Sequence, residues 1–123
     1  MTTKEIAQKY VELNRTGQHM QALEDLFAKD AVSIEPKGTP TEHAEGLDAL
    51  KKKNEEFATM VEEMHGMEVS DPIVADNFFS CTMKMDVTLK GMPRNHMEEV
   101  CLYHVKDGKI TSEQFFYTPP SMN

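Results

Sequence analysis

Two periodicities divide the chain. Through the first half, apolar residues recur every three or four positions; from residue 66 onward they alternate. Ile6, Tyr10 and Leu13 share one helical face, Thr2 and Glu5 have capping-box spacing ahead of them, and Gly17 is a stop signal. A second helix is expected from Gln18 to Ala28, with Met20, Leu23 and Phe27 on one side. A short strand from Ala31 to Glu35 should end at Pro36, where a polar loop over 36–45 begins. The third helix is expected from Leu47 to Glu63, on the stripe Leu47, Leu50, Phe57, Ala58, Val61 and Met64. Four strands complete the chain, at about 66–75, 78–89, 94–105 and 109–118, with turns at Asp76-Asn77 and Lys90-Gly91-Met92-Pro93.

The alternation is clearest over 78–89. Phe79, Cys81, Met83, Met85, Val87 and Leu89 share one face; Ser80, Thr82, Lys84, Asp86 and Thr88 share the other. The last two strands meet at Lys106-Asp107-Gly108. A two-residue loop pairs Lys106 with Lys109, and a three-residue loop pairs Val105 with Lys109; the choice reverses the facing of the final strand. Lys-Asp at the turn centre and Gly108 as a left-handed bulge residue favour the three-residue form. It groups Glu99, Cys101 and Tyr103 with Glu113, Phe115 and Tyr117, and leaves Val100, Leu102, His104, Gln114 and Phe116 opposite. Both faces are partly apolar. One is expected to cover the helices and a cavity, and the other to meet a second subunit.

At 123 residues the chain fits a single domain, 1–123, large enough for a real core. Its formal net charge of −8 leaves no nucleic-acid footprint and disfavours anionic membrane surfaces. The one basic run, Lys51-Lys52-Lys53, precedes Glu55-Glu56 and reads as a solvated helix face. No apolar run approaches a membrane span, and Met-Thr-Thr-Lys-Glu lacks the apolar region of a signal peptide, so a cytoplasmic location is expected. Cys81 and Cys101 then read as two buried free thiols. The ten methionines suit an adaptable cavity lining.

The order helix–helix–short strand–helix–four strands resembles the nuclear transport factor 2-like superfamily, and within it the SnoaL-like branch that includes polyketide cyclases. The local signals are Leu23-x-x-Leu26-Phe27-Ala28-x-Asp30-Ala31-Val32, Glu45-Gly46-Leu47-x-Ala49-Leu50 and Val105-Lys106-Asp107-Gly108-Lys109-Ile110, and the resemblance spans nearly the whole chain. It implies an α+β fold: three N-terminal helices packed on a strongly curved mixed β-sheet, forming a cone with an internal pocket. It also implies homodimers packed through the convex sheet face. A more distant likeness is to ketosteroid isomerase. Tyr10-Val11-Glu12-Leu13-Asn14 is similar to that branch's helix-one tyrosine segment, and Glu35-Pro36 to its catalytic base before a proline. The position of its third group, a neutral carboxylic acid, falls on Cys101, a weaker hydrogen-bond donor.

On this reading Glu35 is the candidate general base, its pKa raised by an apolar pocket. Tyr10 is the candidate stabiliser of developing negative charge on oxygen. Glu113, with Glu99 and Tyr117, projects toward the helices, and two enclosed carboxylates would share a proton. Phe57, Val61, His65, Met83, Met85, Cys101, Tyr103 and Phe115 are candidate ligand-lining residues. His19, His43, His96 and His104 are scattered without metal-ligand spacing. There is no nucleophilic serine motif, phosphate-cradling loop or dinucleotide fingerprint, so neither cofactor nor metal is expected. The expected function is binding of a small, mostly apolar organic molecule in the cone, with cofactor-free proton transfer of isomerase or cyclase type. The alternatives are a non-catalytic binder with the same pocket and an interaction module working through its convex face.

Overall fold

The computed structural model describes residues 1–119. Helix α1 (Thr3–Arg15) starts as the capping box requires: Glu5 N–H donates to Thr2 Oγ1 at 3.2 Å and Thr2 N–H to Glu5 Oε1 at 2.8 Å. It buries Ile6, Ala7, Tyr10, Val11 and Asn14. Helix α2 (His19–Leu26) stops two residues short of the expected end, because Phe27 already belongs to strand β1 (Phe27–Ile34). Phe27 pairs there with Ile110, a contact 83 positions away that overrides the local helical pattern. Strand β2 (His43–Glu45), inside the expected polar loop, pairs antiparallel with β1 through Val32 and Glu45.

Helix α3 (Leu47–Met60) ends earlier than the sequence suggests. Val61 opens strand β3 (Val61–Val69) by pairing with Leu89, so Val61 and Met64 extend a strand, not the helical stripe. Of that stripe only Leu50 is fully buried, and Ala58 is exposed. The expected strand 66–75 is broken at Ser70-Asp71-Pro72 into β3 and the short β4 (Ile73–Ala75). Strands β5 (Phe78–Leu89), β6 (Asn95–Lys106) and β7 (Lys109–Phe116) follow closely on the expected positions.

The sheet runs β2-β1-β7-β6-β5-β3, with β4 also on β5. The β1–β7 pair is parallel and the other pairs are antiparallel. Register shifts within β1–β7, β3–β5 and β6–β7 bend it around the helices. The result is the expected α+β cone: three helices on the inner face of a curved mixed sheet. Tyr10, Tyr103, Phe79, Ile6, Leu23, Leu26 and Ile110 fill its closed end. No helix among the described residues is long and apolar enough to cross a membrane.

The hairpin corrects the expected turn. Lys106 pairs with Lys109, and Asp107 and Gly108 are both left-handed, at φ 52° and 74°, which is the two-residue form. A bulge at Thr111, opposite His104 and Val105, then restores the facing that the three-residue loop would have given. Tyr103 therefore lies opposite Glu113, and Cys101 opposite Phe115, two residues from the expected register but on the expected face. Cys81 and Cys101 are register partners on β5 and β6, both free and buried.

Candidate functional site

The parallel β1–β7 pair sets the geometry. It places Ser33 beside Glu113 and carries Glu35, just beyond the end of β1, toward the C-terminal end of β7. Helix α3 lies across β1 and lowers Lys53 onto them. The Lys53 ammonium donates to Glu35 Oε2 in a short ion pair, and to Ser33 Oγ at 2.9 Å, and stands 4.9 Å from the centroid of the Phe115 ring. The Tyr117 hydroxyl donates to the other Glu35 oxygen at 2.7 Å. Glu35, the candidate base, therefore has both carboxyl oxygens engaged.

Glu113 is different. Its residue is 4% exposed, and Oε1 is the one buried side-chain oxygen or nitrogen without a hydrogen-bond partner among the described residues. Burial pushes its pKa up to about 7, against the pull of the Ser33 hydroxyl and the Lys53 charge, with Glu35 pushing it further upward. Glu99, on the same inner face, is also raised to about 7, by burial and by the neighbouring Glu35 and Glu113 charges. Two acids with pKa values raised to about 7 thus share the inner face of the β6–β7 pair.

Behind them, the Tyr10 and Tyr103 hydroxyls meet at 2.5 Å, and both side chains are wholly buried. Burial, and the Glu113 charge, hold the Tyr10 phenol far above its ordinary range; burial, then Tyr10, does the same to Tyr103. Phe79 stacks on Tyr103 at 4.6 Å. Tyr10 therefore braces Tyr103 at the closed end of the cone. Cys101 Sγ lies 3.8 Å from Glu99 Oε1, and a hydrogen bond to Cys81, together with burial, raises its thiol pKa.

Met83, fully buried, and Met85, half-buried, lie on the inner face of β5, while Phe57 and Val61 are half-buried near the α3–β3 junction. A hollow of about 420 Å³ is lined by Met67, Met85 and Met97 together with Gly66, His96 and the charged Glu68, Lys84, Asp86 and Glu98; Glu99 and Glu113 lie outside its lining. A second, of about 560 Å³, lies away from the acids, between α1 and Asp71-Pro72-Val74. His65 does not join the cluster. It is a bulge residue in β3, its Nε2 2.8 Å from Thr88 Oγ1 and its Nδ1 2.9 Å from Glu63, on the outer side of the sheet.

Sequence reasoning missed Lys53, Ser33 and His19. Lys53 lies three residues from Leu50 and four from Phe57, the spacing of the inward helix face, but its lysine neighbours disguised it. His19 Nδ1 meets Asn14 Oδ1 at 2.7 Å, and Asn14 in turn donates to the Tyr10 carbonyl at 2.8 Å. Burial, then the Lys53 charge, lowers the His19 pKa to about 4, so its ring is neutral at neutral pH.

A helix-backed cone with ionisable groups on its inner wall defines the class. The SnoaL-like domain profile matches residues 1–117, and the chain belongs to that family. A Mesorhizobium loti structure with a provisional description as a SnoaL-like polyketide cyclase is 39% identical, at a TM-score of 0.90 over 95% of this chain and 100% of that one. A cystatin-like protein of unknown function from Xanthomonas campestris superposes at 0.81 with 18% identity, over 97% of this chain and 92% of that one. A protein of ketosteroid isomerase-like fold from Catenulispora acidiphila, solved with trimethylamine, superposes at 0.74 with 22% identity, over 95% and 88%. No curated protein matches the chain.

Proposed function

We propose that this protein binds a small organic molecule at the open end of its cone and moves a proton on it without a cofactor, as an isomerase or cyclase does. The observation that carries this reading is Glu113: buried, with one oxygen unpartnered, and titrating near neutrality beside a second such acid. A general acid–base works best with a pKa near the working pH. Glu113 and Glu99 take that role. Glu35 and Lys53 hold the rim, Tyr117 steadies Glu35, and the Tyr10–Tyr103 pair stiffens the floor. Met83, Met85, Phe57 and Phe115 supply the apolar lining. The protein works as a homodimer through the convex sheet face.

The test has two readouts. Methyl-labelled methionine NMR against a panel of cyclic ketones and enols should show shifts confined to Met67, Met83, Met85 and Met97. Deprotonation of 5-nitrobenzisoxazole, an activated C–H acid, should rise with pH through an apparent pKa near 7 and fall at least a hundredfold in Glu113→Gln. Methionine shifts without a rate above that of acetate buffer would leave the non-catalytic binder. That reading draws on the anchored state of Glu35.

A further inference from the structure

Once Glu99 and Glu113 ionise, above about pH 7, the charges on the inner wall do not balance. Three carboxyls, Glu35, Glu99 and Glu113, face one ammonium, Lys53, and that ammonium is committed to Glu35 and Ser33. The other groups turned toward Glu113 and Glu99 bring no positive charge. From α1 comes Tyr10, from β5 Cys81, from β6 Cys101 and Tyr103, and from just past β7 Tyr117; the one other cation whose charge reaches this wall, Arg15 of α1 near Cys81, is already engaged by the Val69 carbonyl and Asp71. The wall therefore has room for one more positive charge and a reason to exclude a negative one. Glu113 Oε1 is a second and separate sign, because in the ionised carboxyl this buried oxygen is an acceptor without a donor.

We propose that the ligand of this site carries an organic ammonium group, which docks between Glu99 and Glu113 with its apolar body toward the methionines. The proposal rests on the small-molecule reading above and adds the sign of the ligand's charge. The wall already shows how it receives such a group. Lys53 places an ammonium between a carboxylate, a hydroxyl and the Phe115 ring face. A ligand ammonium would repeat the arrangement one step along the sheet, with Glu113 Oε1 and Glu99 as acceptors. The chain's formal net charge of −8 favours a cation's approach and opposes an anion's.

Protons and the ammonium compete for the same two carboxyls, which fixes the direction of the pH dependence. Both titrate near 7. Above that pH they are free to pair with the cation, and below it they are protonated. A ligand that instead accepts a hydrogen bond from a protonated carboxyl would bind better as pH falls.

The test is isothermal titration of the full chain with three probes of one shape: cyclohexylammonium, cyclohexanol and cyclohexanecarboxylate, at pH 5.5 and 8.5. Cyclohexylammonium should bind at least tenfold more tightly than the other two at pH 8.5, and at least tenfold more weakly at pH 5.5. Near pH 7 its binding should release protons, seen as a heat that depends on the buffer. Glu99→Gln should weaken it and flatten the pH dependence, and Glu113→Gln should do the same. If the glutamine at 113 does not fold, carboxyl NMR of the unaltered protein serves instead, since the ammonium should lower the titration midpoints of both acids. Equal or tighter binding of the alcohol or the carboxylate, or ammonium affinity that rises as pH falls, overturns the charge assignment and leaves the pocket standing. If none of the three probes binds, both readings fall.

Discussion

A carboxyl that is neutral for part of the physiological range has consequences for the fold as well as for chemistry. Glu113 has a pKa of about 7 in the folded chain against an ordinary 4.5. Between those values the folded state holds a proton that the unfolded state has released, so this residue's contribution to stability declines as pH rises from 4.5 to 7 and is flat above. The difference of about 2.5 units corresponds to roughly 3 kcal/mol at most. Glu113→Gln removes the titration. It should be up to roughly 3 kcal/mol more stable than the parent at pH 8 and nearly equal near pH 4.5, measured by urea unfolding at both. His19 pulls the other way, because a histidine with a depressed pKa loses stability as pH falls, but it is present in both proteins and cancels. Equal stability of the two at pH 8 would show that Glu113 is not held out of water. At this scale the sequence was informative about polarity and poor about partners. Alternation put Glu99, Glu113 and Tyr117 on the inner face with Cys101, Tyr103 and Phe115, and the helical stripe carried Tyr10 into the core. Nothing in the spacing showed that Glu35 would meet Lys53, because an ion pair between a helix face and a strand end depends on how two elements cross.

That crossing is the lesson of the element scale. Helix α3 brings Leu50, Lys53 and Phe57 to the inside of the cone at intervals of three and four residues. An apolar-only pattern skips its middle member. The strand ends depart from the helical pattern for a related reason: Phe27 and Val61 look helical in their local windows and become strand only through partners at Ile110 and Leu89. The hairpin shows compensation. Two left-handed residues tighten the turn, a bulge adds one residue, and the facing survives although the loop length does not match the expectation. The α3–β1 link can be tested by removing its cation. Lys53→Met should leave Glu35 with the Tyr117 hydroxyl but without a counter-charge, where its side chain is only 10% exposed. We expect a loss of roughly 3 kcal/mol in urea unfolding, the cost of a buried charge left without its partner. Lys53→Met with Glu35→Gln should recover most of the loss. A double variant as unstable as the single one would mean that Lys53 acts through its methylene packing on Phe115 and not through its charge.

For the whole molecule, the unresolved business of the fold lies on its outside. The convex face presents Phe78 at 44% exposure, Val100 at 46%, Leu102 at 37% and Phe116 at 47%. These side chains are contiguous: Val100 is the register partner of Phe116 on β7, Leu102 follows on the same face of β6, and Phe78 packs against the His104 ring at 4.7 Å. This strip of four large apolar side chains on one face of three adjacent strands, with Ser80, His104 and Gln114 among them, is costly to leave in water, whereas singly scattered hydrophobics are ordinary. In the homodimer proposed above, a second copy of the same strip covers it, because a two-fold axis makes one surface self-complementary. The sequence foretold the strip, since both faces of the last strands alternate with apolar residues, and it could not give the partner. Sedimentation equilibrium should give about twice the chain mass of 14.0 kDa at micromolar concentration. Val100→Glu combined with Phe116→Glu places charges opposite each other on adjacent strands and should weaken association at least a hundredfold while keeping the monomer folded. These side chains point away from Glu99 and Glu113, so the carboxyl titrations near pH 7 should survive in the dissociated variant. A parent protein that stays monomeric at tens of micromolar would remove the convex face as a subunit interface and leave the chemistry of the inner wall to a single cone.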